Sequence, residues 1–163
     1  MATLSVWRFN NPEGAGRAVG ILERLQKQDL ITVQDAAIVS WPLERRRPKT
    51  KQLHNLAGVG ALSGSFWGLL FGLLFFVPLF GMAVGAAMGA VSGSMVDVGI
   101  DDDFIDAVRS EVQPGTSALF VMTTDAVQDK VRAAFSEENP KLVHTNLSGE
   151  EEARLRDYFA EED

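Results

Sequence analysis

The chain has 163 residues, no cysteine and a formal net charge of −7 at pH 7. This length predicts one domain, or a small domain with an insertion, and the lack of cysteine excludes disulfides and metal sites built on sulfur. The charge is uneven: residues 1–53 carry nine Lys/Arg against five Asp/Glu, whereas residues 97–163 carry six against seventeen. The acidic balance argues against non-specific nucleic-acid binding, so we expect no nucleic-acid partner.

The first 53 residues predict three strands and one helix. Thr3–Phe9 is a β-rich run, and Ala15–Gln28 has the apolar periodicity of an amphipathic helix. Ala36–Leu43 predicts a second strand, in which Pro42 indicates an edge position or the end of the pairing. Pro48–Leu53 is expected to return as a basic strand.

Residues 54–97 form an uncharged segment in which glycine recurs at every fourth residue, in two runs. No Asp, Glu, Lys or Arg lies between Asn55 and Val96, and a wholly apolar segment, FFVPLF, separates the runs. Glycine at this spacing allows the close helix packing found in lipid, and each half, about 20 residues long, could span a bilayer core of roughly 30 Å. The pattern predicts a glycine-zipper hairpin of two membrane-embedded helices. The expected helix-packing and oligomerisation residues are Gly60, Gly64, Gly68, Gly72, Gly81, Gly85, Gly89 and Gly93.

The two predicted helices differ in bulk. Folding the chain at Phe76/Val77 places the glycine runs in register, with Gly72 opposite Gly81. The first helix is rich in Phe, Trp and Leu, which suits lipid or a large apolar partner. The second is small on every side, so we expect it to be central and shared between the subunits of a homo-oligomer.

The remainder of the chain predicts two strands and three helices. Asp101–Asp103 suits the first turn of a helix that Pro114-Gly115 ends, because acidic side chains complement the helix dipole. The nearly continuous apolar run Ser117–Thr123 predicts a central strand. The elements expected after it are a helix over Ala126–Glu137 capped by Asp125, a strand over Lys141–Leu147, and a helix through Phe159 that begins with a capping box at Ser148–Glu151.

The order of these elements predicts an α+β fold, a ferredoxin-like βα sandwich with an inserted glycine-zipper α-helical hairpin. Residues 1–53 would form the first part of the sandwich, residues 54–97 the hairpin, and residues 98–163 the second part.

The same features support a resemblance to a known family. The element order, the glycine-zipper hairpin, the segment Gly99–Ile105 and the segment Pro114–Val121 (PGTSALFV) resemble the bacterial domain-of-unknown-function family numbered 1269, usually described as predicted membrane proteins. The resemblance covers nearly the whole chain and implies a membrane-associated bacterial protein. It supplies no catalytic residues.

We predict no catalytic, cofactor or metal site, and no enzymatic activity. His54 and His144 are isolated, and Asp101–Asp103 lacks the alternate spacing of an EF-hand loop. Gly58-Val59-Gly60 begins like a dinucleotide-binding loop, but Ser63 stands where the third glycine is needed.

One charged segment has two interpretations. It is either a solvated turn or a contact surface for anionic lipid, to which each Lys/Arg contributes roughly 1 kcal/mol, or for the acidic half of a neighbouring subunit. The residues are Arg45, Arg46, Arg47, Lys49 and Lys51.

Three placements of the hairpin remain open. It could span the bacterial inner (plasma) membrane with both termini cytoplasmic, which fits the preceding basic residues and an N-terminus without signal-peptide features. It could dip in from one side, since FFVPLF offers no polar group to the far side. It could also be buried inside a soluble oligomer. We therefore expect a non-enzymatic membrane-associated protein that self-assembles; the alternative is a soluble homo-oligomeric binding module or small enzyme with an apolar pocket walled by the hairpin.

Overall fold

A computed structural model of the chain describes residues 2–28, 31–53, 64–76, 98–123, 128–135 and 140–159. In these ranges five strands form one antiparallel sheet, and helices pack on both of its faces. The architecture is α+β, as the sequence predicts.

The bounds of the elements follow the predictions closely. The strands are β1 (Ala2–Phe9), β2 (Val33–Trp41), β3 (Lys49–Gln52), β4 (Thr116–Thr123) and β5 (Lys141–Leu147). The helices are α1 (Gly14–Lys27), α2 (Gly64–Phe71), which continues as a π-helix (Gly72–Phe76), α3 (Asp102–Glu111), α4 (Gln128–Ala134) and α5 (Gly149–Phe159). The largest difference between a predicted and an observed first residue is in β2, which begins three residues earlier than predicted.

Strand β4 lies at the centre of the sheet, whose order is β3-β2-β4-β1-β5. Phe120 of β4 is opposite Val6 of β1 on one side and Ala37 of β2 on the other. All but the first residue of β4 are buried, which is why its sequence is apolar without alternation. The prediction of a central strand is confirmed.

One face of the sheet packs against α1 and α4. Leu22 of α1 is fully buried there, and the ring of Phe135, just after α4, meets the rings of Trp7 and Phe9 edge to face. The inward face of α1 is formed by its apolar positions, as the helical periodicity predicts.

The other face packs against α2, the π-helix and α3. Leu4, Val6, Phe120 and Met122 of the sheet share one apolar cluster with these helices. The buried side chains that the first part of the insert contributes are Phe66, Trp67, Leu70, Phe71, Leu73, Leu74 and Phe75. The sequence predicts that these residues contact either lipid or a large apolar partner. In the structure their partner is the chain's own sheet.

The ends of the helices confirm three local predictions. Asp101 Oδ1 accepts a hydrogen bond of 2.9 Å from Phe104 N at the start of α3. Ser148 and Glu151 form a reciprocal capping box at α5: Ser148 N donates to Glu151 Oε1 at 2.8 Å, and Glu151 N donates to Ser148 Oγ at 3.1 Å. After α3, Pro114-Gly115 forms a turn in which Gly115 has φ of +91°, a value that favours glycine.

Several predictions lie outside the described residues. They concern residues 54–63 and 77–97, which include His54, Gly60, Gly81, Gly85, Gly89 and Gly93, and residues 124–127, which include the capping residue Asp125. The register of the two glycine runs and the small second helix belong to this group.

An ion cluster joins α3 to two neighbouring strands. Arg8 of β1 and Lys141 of β5 are opposite each other in the sheet, and Glu111 of α3 lies against both, at 3.2 Å from Arg8 Nη2 and 2.5 Å from Lys141 Nζ. The hydrogen bond from Lys141 lowers the pKa of the Glu111 carboxyl below its ordinary value of 4.5; partial burial opposes this shift, and the charges of Lys141 and Arg8 add to it.

We predict that Glu111→Gln lowers the free energy of unfolding by about 0.5–1 kcal/mol at neutral pH, a value discounted for solvent screening. Because the folded-state pKa is depressed, this stabilisation is present above pH 4.5 and is lost as the pH falls through the folded-state value. Urea unfolding of both proteins across this range measures the difference. Glu150→Gln is the control. Glu150 is 87% exposed, and its distance of 3.7 Å from Arg154 is long for an ion pair, so this substitution should change stability by less than about 0.5 kcal/mol. A pH-independent effect of Glu111→Gln would contradict the assignment.

Candidate functional site

Gly68 of α2 and Gly72 of the π-helix lie on the side that faces away from the sheet. Gly68 is exposed and Gly72, at the start of the π-helix, is half-buried, whereas Trp67, Leu70 and Phe71 are buried against the sheet. A Cβ atom placed on Gly68 or Gly72 would have no atom of the described residues within 4 Å. We call Gly68 and Gly72 the glycine ridge. Within the described part of the chain, no contact at Gly68 or Gly72 requires glycine.

A buried carboxyl group fixes α2 to the sheet. Asp35 is fully buried, and its Oδ2 accepts hydrogen bonds from Trp67 Nε1 at 2.9 Å and from Gln52 Nε2 at 3.0 Å. Its Oδ1 accepts from Ala36 N at 2.8 Å. A shift in the pairing of β2 with β4, between Val33 and Asp35, places Asp35 opposite Met122, on the face that the insert covers.

Sequence patterns alone do not identify Asp35. The available signal was a lone acidic residue at the start of an apolar strand, since charged residues are rarely buried unless they have partners. Its donors, Gln52 and Trp67, come 17 and 32 residues later in the chain, so local patterns could not pair them.

The five predicted basic residues lie along one margin of the sheet. Arg45, Arg46 and Arg47 are exposed in the turn after β2, and Lys49 and Lys51 are the exposed positions of the edge strand β3. The turn is held by Arg45 N, which donates to Pro42 O, and by Trp41 Nε1, which donates to Arg45 O, both at 3.1 Å. We call these five residues the basic margin.

Leu43 lies next to the basic margin. It is 76% exposed, and it is the one large hydrophobic side chain classed as exposed among the described residues. It lies against Gly115, so its position depends on the Pro114-Gly115 turn.

A cavity of about 170 Å³ lies where the π-helix, the end of α3 and the end of β2 meet. Its lining is mostly apolar, with Arg109 as the charged residue. Arg109 donates from Nε, at 3.1 Å, and from Nη2 to the Leu73 carbonyl oxygen of the π-helix. π-helices are rare and occur frequently at functional sites. The lining residues are Trp41, Leu74, Phe75, Arg109, Val112, Gln113 and Pro114.

The described ranges contain no group of three or more His, Cys, Asp or Glu side chains that could hold a metal ion. His144 is exposed on β5, and Asp101–Asp103 is exposed at the N-terminus of α3. None of the helices in these ranges is both long and apolar enough to cross a membrane.

A family model described as "Protein of unknown function (DUF1269)" matches residues 61–160, more than half of the chain. The chain belongs to this family. The match to DUF1269 confirms the resemblance noted from the sequence, and it includes α2, the π-helix, α3 and β4. No curated protein and no solved structure matches the chain significantly.

We predict that Trp67→Phe destabilises the protein by about 1–3 kcal/mol more than Trp7→Phe, which removes the same indole volume. The reason is that Trp67→Phe also removes a hydrogen-bond donor from the buried carboxyl group of Asp35. Trp7→Phe is the matched control, because Trp7 is 1% exposed and packs edge to face against Phe135 in the cluster on the other face of the sheet. In an Asp35→Asn background the excess cost of Trp67→Phe should shrink. Equal costs for the two tryptophan variants in urea unfolding would show that the hydrogen bond contributes nothing.

Proposed function

We propose that this chain is a non-enzymatic, membrane-associated protein that self-assembles through its glycine-rich insert. The observation that carries the proposal is the orientation of α2, which places its bulky side chains on the sheet and its glycine ridge outward. Glycine within a helix costs about 1 kcal/mol relative to alanine, so a repeated glycine needs a close partner to offset it. That partner is a second helix, because small residues at four-residue spacing permit close backbone contact between helices.

The partner helix comes from the second glycine run, Gly81 to Gly93, of the same chain or of a neighbouring copy. Its small residues would allow it to pack on α2 on one side and on another subunit on the other. The assembly is therefore a homo-oligomer in which the inserts form the centre and the sheet domains lie outside.

The sheet domain is ferredoxin-like in this proposal. Supporting this, β1-α1-β2 and β4-α4-β5 are two strand–helix–strand units, and the strands they contribute are ordered β2-β4-β1-β5. Strand β3 extends this sheet at one edge, and the insert covers the face that lies opposite α1 and α4.

Membrane contact is assigned to the insert beyond Phe76 and to the basic margin. The bulky residues before Phe76 are already covered by the sheet, whereas the chain up to Val96 continues without a charged residue. The exposed arginines and lysines can face the anionic inner surface of a bacterial plasma membrane, which places the sheet domain and both termini on the cytoplasmic side.

We predict that Gly68→Leu and Gly72→Leu abolish assembly while the sheet domain stays folded. The described residues leave open space at both positions, so the added side chains obstruct the partner helix and nothing in the sheet domain. Light scattering on the full chain measures particle size, and circular dichroism checks the fold.

The matched controls are Gly16→Leu and Gly20→Leu in α1, which are also exposed and have open space at the Cβ position. These variants should keep the wild-type particle size. Gly85→Leu with Gly89→Leu should behave like Gly68→Leu. Unchanged particle size in the α2 variants would overturn the assignment of the ridge.

We predict that Arg46→Gln with Arg47→Gln weakens binding to vesicles containing anionic lipid by roughly 10-fold or more, since each residue contributes about 1 kcal/mol. Arg24→Gln with Lys27→Gln, an exposed pair on α1, makes the same charge change away from the basic margin. Vesicle flotation measures both. Equal losses of vesicle binding in the two double variants would show that the effect comes from the net charge and not from the basic margin.

One observation supports the alternative, a soluble homo-oligomeric binding module: residues of the insert line the cavity beside the π-helix. Carbonate-washed membrane fractions separate the two functions: retention in the pellet supports the membrane protein, and release to the supernatant supports the soluble module.

A further inference from the structure

We propose that the cavity beside the π-helix binds a small monocarboxylate with an aromatic or branched aliphatic body. This inference does not depend on assembly or on the membrane, because every lining residue belongs to the described sheet domain and the helices packed on it.

The size of the cavity limits the size of the apolar part of the ligand. The cavity is open to solvent on one side, and its volume of about 170 Å³ is similar to that of enclosed engineered cavities that hold benzene, about 150 Å³. Trp41, Leu74, Phe75, Val112 and Pro114 supply apolar walls, and the rings of Trp41 and Phe75 meet edge to face at 5.9 Å. A six-membered ring or a branched chain of four or five carbons fits this space.

Arg109 sets the charge of the ligand. Its guanidinium carries five N–H donors, of which two point to the Leu73 carbonyl oxygen. Nη1 lies 3.6 Å from Asp106 Oδ1, an exposed carboxylate, and within the described residues no other acceptor contacts the guanidinium. Donors therefore remain for a carboxylate, which an arginine can bind through two parallel hydrogen bonds.

The negative end of the α3 dipole also lies near the cavity, since Val112 follows the last turn of that helix. The helix end carries about half an elementary charge, and Asp106, which is 72% exposed and does not line the cavity, is screened by water. Arg109 is the charged group that the cavity itself presents, so the cavity favours an anion over a cation.

The walls of the cavity are held in place without a ligand. Arg109 fixes the π-helix through Leu73, Trp41 Nε1 is bonded to Arg45 O, and the turn that carries Gln113 and Pro114 is closed by Thr116 N donating to Gln113 O at 3.1 Å. Little ordering is needed on binding, which favours affinity for a small molecule.

The test uses three benzene derivatives of similar size and different charge: benzoate, benzyl alcohol and benzylamine. Trp41 is the reporter, because Trp7 and Trp67 are only 1% and 3% exposed and Trp41 lines the cavity. Titration of the full-length protein, followed by tryptophan fluorescence and by calorimetry, should give saturable binding. We expect benzoate to bind at least 5-fold more tightly than benzyl alcohol, and benzylamine to bind most weakly.

Two variants separate the charge from the cavity. Arg109→Met should lose the preference for benzoate over benzyl alcohol. Because Arg109 also holds the Leu73 carbonyl, both affinities should fall somewhat, so the readout is their ratio, and residual binding of benzyl alcohol shows that the cavity persists. If Arg109→Met does not fold, Arg109→Lys keeps a charge without the planar fork and should reduce the preference for benzoate by a smaller factor. Arg132→Met, an exposed arginine of α4 on the opposite face, is the control and should change nothing.

The proposal is overturned if none of the three probes binds, if benzoate binds no better than benzyl alcohol, or if Arg132→Met removes the preference as Arg109→Met does. Loss of the fluorescence change in Trp41→Phe, with the calorimetric signal retained, places the bound probe at this cavity. None of these outcomes bears on assembly, so the proposed function and the ligand site can fail separately.

Discussion

The apolar face formed by Leu4, Val6, Phe120 and Met122 must be covered, and the rest of the molecule depends on what covers it. The first part of the insert does so with seven buried side chains. At about 1.5–3 kcal/mol for each fully buried large side chain, this burial contributes on the order of 10–20 kcal/mol as an upper bound. The conformational entropy of ordering these residues opposes this term, and the observation that remains is structural: α2 and the π-helix share one apolar cluster with the sheet and are integral parts of the domain.

Two surfaces follow from this packing. Because the bulky side of α2 meets the sheet, its glycine side faces away from it, and a helix that packs there can approach closely. Because the helix continues as a π-helix over Gly72–Phe76, the Leu73 carbonyl is held by Arg109, while Leu74 and Phe75 line a cavity with Trp41. The proposed assembly surface and the proposed ligand cavity therefore both depend on the docking of the insert on the sheet.

Sequence patterns predicted the elements well where the information is local. The strand Ser117–Thr123, the helix start at Asp101–Asp103 and the capping box at Ser148 all depend on residues a few positions apart. The packing partner of the bulky side chains in the insert was harder to predict, because the hydrophobic effect favours their burial against a sheet as much as in lipid. Asp35 was missed because its partners are distant in the chain and meet it only in the folded protein.

The central position of β4 has a consequence during synthesis of the chain. Its neighbours β1 and β2 emerge early, the apolar insert emerges next, and β4, which joins those strands and carries Phe120, emerges about 45 residues after Phe76. At roughly 5–20 residues per second, the ribosome takes about 2–10 s to make that stretch. During this interval β1 and β2 lack the strand that joins them, so the sheet face that the insert covers is complete only after β4 has been made.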